Sequence, residues 1–201
     1  ATEAGTIYSI DEVHALCDAA HAMSMKTHMD GARFGNAIAS LGCHPAEVTV
    51  EAGIDMLSFG ASKNGCMAAE ALVFFNHSEL YETAERLRKR SGHLLSKMRY
   101  VSAQLLAYVE GDRWLAMAGH ANGQAAKFAE AVEAHPEALL EDPVQANEVF
   151  LSWTKEGFDH LKSQGIEFQL WPGRDDLARF VFGHSTSDEE VELLINTLTQ
   201  A

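Results

Sequence analysis

The sequence predicts an α/β protein with a mostly parallel sheet, followed by a small C-terminal α+β domain. Apolar runs of strand length alternate with segments of helical periodicity in the first half of the chain, which is the pattern of βα units. After an alanine-rich helical stretch at 114–134, the pattern changes to short strands around two helices. We therefore predict a first domain at residues 1–110 and a second at residues 111–201.

Capping and turn signals define the elements of the first domain. Ser9 and Glu12 form an S-x-x-E capping box, so a helix is predicted to begin there. The predicted strands are 25–30, 54–59 and 69–75, and the predicted helical segments are 33–41, 45–53 and 78–109. No strand precedes the first helix, so we expect the sheet to lack its earlier strands and the chain to be one piece of a longer polypeptide.

The second domain has its own set of signals. Ser187 and Glu190 form another capping box and begin the last helix. The other predicted elements are strands at 148–153, 166–170 and 177–182 and a helix at 155–163.

Composition and charge exclude several classes of protein. The 201 residues are 47% hydrophobic and 22% charged, as in soluble globular proteins. A net charge of −14, from 15 Lys and Arg against 29 Asp and Glu, repels phosphate backbones, so no nucleic-acid partner is expected. The chain has no signal-peptide pattern and no apolar run near the roughly 18 residues of a membrane span. We expect no membrane association and a cytoplasmic location.

The cysteines suggest neither a disulfide framework nor a metal site. Cys17, Cys43 and Cys66 are odd in number and form no C-x-x-C pair, so we predict free thiols. No spacing of histidines and cysteines is typical of metal ligands, and no metal is predicted.

Lys63 lies in a short polar loop, Gly60–Gly65, between two apolar strands. Burial at a sheet edge would lower the pKa of the Lys63 amine and make it nucleophilic, as Schiff-base chemistry requires. On this loop alone, an ordinary surface lysine is the alternative.

A second polar cluster follows the strand at 25–30. His28 and Asp30 alternate to the same side of that strand, and Asp30 stands at its C-terminal end, where α/β sheets bind ligands. Gly31 permits a sharp turn, after which Arg33 opens a helix. A structural Asp30–Arg33 pair is the alternative interpretation.

Together, the two clusters indicate pyridoxal 5'-phosphate (PLP). This cofactor needs a lysine for its covalent link and a carboxylate on its pyridine nitrogen, so that the protonated ring accepts electrons. Lys63 and Asp30, at the ends of successive strands, meet both requirements.

Three segments resemble the threonine aldolase family. HMDGARFGNA at 28–37 is similar to its H-x-D-G-A-R-x-x-N-A signature. SFGASKNG at 58–65 resembles the lysine loop of the low-specificity L-threonine aldolases, and TEAGTIY at 2–8 resembles their T-E-x-G-T-x-Y loop. Order and spacing agree, and the resemblance implies the fold of PLP fold type I enzymes, with residues 1–110 as the C-terminal part of the cofactor-binding large domain.

The resemblance also implies roles for the residues near the cofactor. Lys63 forms the Schiff base, Asp30 pairs with the pyridine nitrogen, and Arg33 faces the phenolic oxygen. His28 belongs to the same signature and is expected to contact the cofactor. Lys97, with Arg99 close by, lies near the family's basic phosphate-binding position, which can serve a neighbouring subunit.

Two residues of the second domain are expected to bind substrate. The resemblance matches Arg179 to the arginine that grips the substrate carboxylate, a planar fork-to-fork pairing; an edge-strand surface arginine is the alternative. Asn147, just before a predicted strand, is expected to reach the substrate with its amide.

The reaction implied is cleavage of L-threonine, L-allo-threonine or a related β-hydroxy-α-amino acid to glycine and an aldehyde. A PLP-dependent β-eliminating lyase, an aminotransferase and a catalytically silent folded fragment remain as alternatives. The family's chain is longer at its N-terminus, so we expect activity to need a further N-terminal portion, provided as a separate fragment of the same protein or within a longer chain. A homodimer or homotetramer is expected.

Overall fold

Residues 1–75 and 78–200 of the computed structural model divide between two units. One comprises Ala1–Ile7 together with Met117–Ala201, and the other is Tyr8–Ala116. This division falls within one helix, α5 (Arg113–Glu133). The domain boundary at residue 110 stays a prediction. Within the part of the chain that the structure describes, no helix is both long and apolar enough to cross a membrane.

The Tyr8–Ala116 unit is built on a three-stranded sheet. Its strands are β1 (His28–Gly31), β2 (Met56–Gly60) and β3 (Glu70–Phe74), in that spatial order. Its helices are α1 (Ile10–Ala22), α2 (Phe34–Leu41), α3 (Ser78–Arg90) and α4 (Met98–Val109), and a 3-10 turn covers Ser62–Asn64.

Helix α1 confirms the first capping prediction. The Ser9 side chain accepts from the Glu12 backbone N–H, and the Glu12 carboxylate accepts from the Ser9 N–H at 2.8 Å. Val13 and Cys17 are the buried positions of this helix.

The prediction of a mostly parallel sheet needs correction. Strand β1 pairs with β2 in parallel, but β2 pairs with β3 antiparallel, so this sheet is mixed. The connection from Gly60 to Glu70 contains only residues 61–69 and a single 3-10 turn. A parallel return needs a crossover of about a dozen residues or more. The chain therefore turns back, and the Lys63 loop joins two antiparallel neighbours.

The helical segment predicted at 78–109 is two helices. Helix α3 ends at Arg90, and Gly92 follows with a left-handed φ of 81°, before α4 begins at Met98. The Ser91 hydroxyl donates to the Leu87 carbonyl at 2.7 Å and completes this helix end.

A buried carboxylate joins the beginnings of β1 and β2. Asp55 is 3% exposed and accepts from the Thr27 N–H at 2.7 Å, with His21 Nε2 at 3.0 Å and Lys26 Nζ at 3.5 Å. Burial alone would raise the pKa of Asp55, but the hydrogen bonds from Thr27 and His21 and the charge of Lys26 outweigh it and hold that pKa well below its usual range.

The unit formed by Ala1–Ile7 and Met117–Ala201, called the second unit below, is a four-stranded antiparallel sheet packed on helices. The sheet order is β4 (Leu139–Leu140), β5 (Glu148–Ser152), β7 (Leu177–Val181) and β6 (Gln169–Leu170). Helices α6 (Lys155–Ser163) and α7 (Asp188–Thr199) complete it with the C-terminal part of α5, and α7 has the predicted Ser187–Glu190 capping box.

Several aromatic side chains meet in the core of this second unit. The Phe128 ring of α5 lies 5.0 Å from the Phe180 ring and 5.8 Å from the Phe182 ring, centroid to centroid. Phe128 is fully buried, and burial of one such side chain contributes about 1.5–3 kcal/mol.

Candidate active site

The site begins where two parallel strands end. Because β1 and β2 run in the same direction, with Gly31 opposite Phe59, their C-terminal ends lie at one edge of the sheet. His28 and Asp30 are both exposed. His28 Nε2 lies 2.7 Å from the Ser58 hydroxyl, and Asp30 Oδ1 accepts from the Ala32 N–H at 2.9 Å. Two side chains of the predicted cluster are thus tied to the strand ends.

Two glycines bring these strand ends close together. A Cβ at Gly31 would lie 2.5 Å from the Ser58 carbonyl oxygen, and one at Gly60 would lie 2.8 Å from the Ala32 Cα. Neither position has room for a larger residue, because the neighbouring atoms are backbone. The Asp30–Arg33 segment and the Lys63 loop therefore leave the sheet side by side.

Arg33 lies at the junction between this edge and α2. It is half-buried and stands directly before Phe34, the first residue of the helix, with a non-helical backbone at φ −125° and ψ 34°. Its structural pairing with Asp30, the alternative raised by the sequence, stays a prediction.

Lys63 is exposed in the 3-10 turn Ser62–Asn64. Among residues 1–75 and 78–200 its side chain makes no hydrogen bond or ion pair. These residues therefore do not supply the burial that the sequence predicts for Lys63. The structure instead shows a loop with a fixed backbone, from which the Lys63 amine extends without a partner among the described residues.

The residue after Lys63 fixes that backbone. Asn64 is 4% exposed, and its Nδ2 donates to the Tyr108 hydroxyl at 2.7 Å and to the Trp114 carbonyl at 2.9 Å. Gly65 follows with a φ of 110°, which favours glycine. Burial raises the pKa of Tyr108, partly offset by the hydrogen bond from Asn64. Asn64 belongs to the quoted motif, but its contacts are with residues far along the chain.

Lys97 and Arg99 lie at the start of α4. Lys97 is the residue before the helix and is exposed, and its side chain has no hydrogen bond or ion pair within the described ranges. Arg99 contacts its neighbour: the guanidinium carbon lies 5.0 Å from the Tyr100 ring centroid. The phosphate-binding role stays a prediction.

Arg179 belongs to the other unit, on β7. Its Nη2 donates to Gln169 Oε1 at 2.7 Å, and its Nη1 lies 3.7 Å from Glu148 Oε1. The Arg179 side chain is 29% exposed and that of Glu148 only 1%. The register that pairs Phe150 with Arg179 places Glu148 diagonally across the strands. Sequence reasoning missed Glu148, for which the only signal was a charged residue in an otherwise apolar strand.

Residues 2–7 of the N-terminal loop form a turn in the same unit as Arg179. Thr2 and Thr6 are joined by a backbone hydrogen bond of 2.7 Å, and Gly5 between them has a φ of 75°. A Cβ at Gly5 would approach the Cβ of Glu148 to 3.2 Å. This turn thus lies directly against the buried glutamate.

Asn147 uses its amide within the sheet. Its Nδ2 donates to the Phe182 carbonyl at 2.7 Å, and the side chain is 4% exposed. That bond extends the β5–β7 pairing by one step. The substrate-binding role of Asn147 stays a prediction.

No group of three His, Cys, Asp or Glu suited to a metal ion occurs within residues 1–75 and 78–200. The edge where β1 and β2 end, with its adjoining loops, carries an amine, a carboxylate, an imidazole and a guanidinium group, from Lys63, Asp30, His28 and Arg33.

Sequence comparisons with known proteins agree on one family for this chain. Residues 1–155 match the sequence profile of the family described as beta-eliminating lyase, and the chain belongs to this family. It is 41% identical over 194 residues to proteins named low specificity L-threonine aldolase from Pseudomonas aeruginosa and from another Pseudomonas strain. These matches cover 96% of the chain but 56% of each relative, so the chain spans little more than half of their length.

A solved structure agrees with the fold. A Leishmania major threonine aldolase superimposes with a TM-score of 0.91 at 24% identity, covering 99% of this chain and 58% of that one. Further matches include a Catharanthus roseus tryptophan decarboxylase solved with L-tryptophan, at a TM-score of 0.64 and 17% identity, covering 94% and 46% of the two chains. The chain thus has the PLP fold type I architecture expected from the sequence.

Proposed function

We propose that this chain is the C-terminal part of a PLP-dependent aldolase that cleaves L-threonine, L-allo-threonine or a related β-hydroxy-α-amino acid to glycine and an aldehyde. The observation that carries the proposal is the edge where β1 and β2 end, which brings the Asp30–Arg33 segment beside the Lys63 loop. The 41% identity to relatives named low specificity L-threonine aldolase supports it.

The groups at this edge fit the cofactor. The Lys63 amine is exposed and makes no bond within the described chain, and Asp30 Oδ2 also makes none there, whereas Oδ1 is held by Ala32. When bound, PLP supplies an aldehyde that condenses with amines and a protonated ring that accepts electrons. Lys63 would hold it covalently, Asp30 would keep its pyridine nitrogen protonated, and Arg33 would stabilise its phenolic oxygen.

The proposal also assigns contacts with the substrate or the cofactor to the remaining predicted residues. Arg179 binds the substrate carboxylate, since a guanidinium with two N–H directions already fixed can present the others in one plane. His28, held by Ser58, contacts the cofactor, Lys97 binds its phosphate, and Asn147 reaches the substrate.

The complete enzyme includes sequence beyond this chain. Because the chain spans 56% of the length of its curated relatives, we expect cleavage to need the corresponding N-terminal portion, joined or as a separate fragment. A cytoplasmic homodimer or homotetramer is part of the same proposal.

The test has two stages. The chain is first mixed with PLP and borohydride, and the modified lysine is located by peptide mass analysis; we expect Lys63, and no adduct in that peptide for Lys63→Ala. The chain is then combined with the N-terminal portion of the P. aeruginosa relative and assayed for glycine and acetaldehyde from threonine. Modification spread evenly over surface lysines would contradict the proposal, and so would full aldolase activity in the Lys63→Ala combination.

A second candidate reaction is β-elimination, which the description of the matched family favours. An aminotransferase is the third. The same mixture assayed for a keto acid separates both from the aldolase, since aldol cleavage yields glycine and an aldehyde. A silent folded fragment would form no selective adduct at Lys63.

A further inference from the structure

We infer that helix α4 positions Lys63 by holding its loop at two points, through Gln104 and Tyr108, which makes both of them positioning residues for the amine. The inference rests on the proposed function of Lys63. It adds two residues that lie outside the three motifs shared with the aldolases.

Gln104 holds the far side of the loop. Its Oε1 accepts from two successive backbone groups, the N–H of Met67 at 3.1 Å and that of Ala68 at 3.2 Å. Its Nε2 donates to the Tyr100 carbonyl one helical turn earlier, at 3.1 Å. The amide is thus fixed at both ends, to its own helix and to the loop.

Tyr108 holds the near side. It lies four residues after Gln104, one turn along the same face of α4, and its hydroxyl accepts from Asn64, the residue next to Lys63. Tyr108 is 2% exposed, and its ring lies 5.8 Å from that of Phe59 and 6.4 Å from that of Trp114. Its position is therefore fixed by packing.

Apart from α4, the loop is held by hydrogen bonds near its base, where the Asn64 and Cys66 N–H groups both donate to the Ala61 carbonyl at 3.1 Å, and by the bond from Asn64 to the Trp114 carbonyl. Met67 is 89% exposed, so apolar burial does not anchor the tip. Ser62 Oγ accepts from the Ala69 N–H at 3.1 Å and closes the loop at its base, beside β3. Between the base and α4, the Lys63 side chain projects without a partner among the described residues. The reach of its amine is therefore set by the backbone that α4 holds.

A lost contact at Gln104 should displace the loop without unfolding the unit, because Gln104 is half-buried. Gln104→Met keeps the size of the side chain but removes the acceptor that joins the Met67 and Ala68 N–H groups to α4. Gln104→Glu keeps an acceptor for both and serves as the conservative rescue. Leu106→Gln is the matched control on the same helix, since Leu106 is 68% exposed.

The closing experiment measures two quantities on the 201-residue chain. Hydrogen exchange reports opening of the loop, and the rate of borohydride-trapped PLP adduct at Lys63, relative to other lysines, reports the placement of its amine. For Gln104→Met we expect exchange at Met67 and Ala68 to quicken and adduct formation to slow, each by about fivefold, the size of one neutral hydrogen bond. Gln104→Glu should restore most of both, and Leu106→Gln should change neither.

The outcomes separate the inference from the proposed function. Faster loop exchange with an unchanged rate at Lys63 would overturn the inference alone, and so would faster exchange throughout β1 and β2, which would mean general unfolding. Selective adduct formation in the unsubstituted chain with the expected slowing in Gln104→Met supports both. Absence of a selective Lys63 adduct in the unsubstituted chain would overturn the proposed function and, with it, the inference.

Discussion

Lys63 and Arg179, the two cations proposed for covalent and ionic binding, are held in opposite ways. At Lys63 the side chain is left unengaged, while the loop backbone is fixed by neutral hydrogen bonds that Asn64 donates to Tyr108 and that Gln104 accepts from Met67 and Ala68. At Arg179 the side chain itself is held, by Gln169 and by the buried charge of Glu148. Each unit contains one of the two arrangements.

The difference fits the role that we propose for each cation. A lysine that forms and releases a covalent bond needs a mobile amine on a fixed base, whereas an arginine that orients a carboxylate needs a fixed guanidinium plane. A carboxylate paired with Lys63 would hold its amine in an ion pair and so hinder formation of the covalent bond. A carboxylate beside Arg179 fixes the plane while other N–H groups stay available, since a guanidinium has five N–H donors.

Removal of the Arg179 charge should give the largest effect. Arg179→Met takes away the cation beside the buried Glu148, and we expect a loss of about 3 kcal/mol in the free energy of unfolding. Urea denaturation followed by circular dichroism and by tryptophan fluorescence, to which Trp153 and Trp171 of this unit contribute, measures it. The double variant Glu148→Gln/Arg179→Met should recover most of the loss.

The control for this prediction is Arg174→Met. Arg174 pairs with Glu141 and Asp176 at 3.2 and 2.6 Å, but its side chain is 40% exposed. Such a pair contributes about 0–1 kcal/mol. If both arginine variants lost the same free energy of unfolding, the pairing of Arg179 with a buried carboxylate would have no special effect on stability.

Asp55 tests whether the unit that contains Lys63 also depends on a buried charge away from the loop. Because its pKa in the folded chain lies below that of the unfolded chain, the stabilisation is complete above about pH 4 and declines as the pH falls toward the folded pKa. Asp55→Asn should cost about 2–3 kcal/mol at pH 7 and flatten the acid limb of the stability curve. Acid denaturation followed by circular dichroism measures both, and an unchanged acid limb would refute this account.

Asn64 gives a smaller expected effect. Asn64→Ala removes the donor to two buried acceptors, and we expect a loss of about 2 kcal/mol, without the strong salt dependence of a charge pair. Thermal denaturation at low and high salt is the measurement. Asn196→Ala, at an exposed position of α7, should leave the midpoint unchanged. A loss for Asn64→Ala that halves in high salt would mean that the loop is held by charge after all.

Gln169 should give the smallest effect. Gln169→Leu removes one bond to Arg179 near the surface, a loss of about 1 kcal/mol or less. In the enzyme completed with the P. aeruginosa N-terminal portion, we expect KM for threonine to rise about fivefold with little change in kcat, because the guanidinium plane is less restricted. A fall in kcat alone would assign Gln169 to another step.

The sequence predicted the features that depend on neighbours along the chain. The capping boxes at Ser9 and Ser187 are local patterns, and both helices begin as expected. The family and its fold followed from three short motifs, and the comparisons confirmed them.

Features set by distant contacts could not be predicted in this way. The apolar pattern at 69–75 indicates a strand but not its direction, which the length of the preceding loop decides. Gln104 meets Met67 across 37 positions of sequence, and no local signal marks it. The exposure of Lys63 is likewise a tertiary property. The roles of Lys63, Asp30, Arg33 and Arg179 stay predictions, since they concern molecules that bind to the chain.

The short return from β2 to β3 has a consequence for how the protein tolerates changes of length. Surface loops usually accept insertions at little cost. Between Gly60 and Glu70, however, the length of the loop is constrained. The strand register fixes its two ends, and the hydrogen bonds of Asn64 and Gln104 fix its middle. A single added or deleted residue would put the wrong amide over Gln104 or the wrong side chain in the pocket of Asn64. The length of this loop is therefore fixed. In a deep mutational scan we expect its insertions and deletions to be tolerated as poorly as substitutions of Lys63 itself.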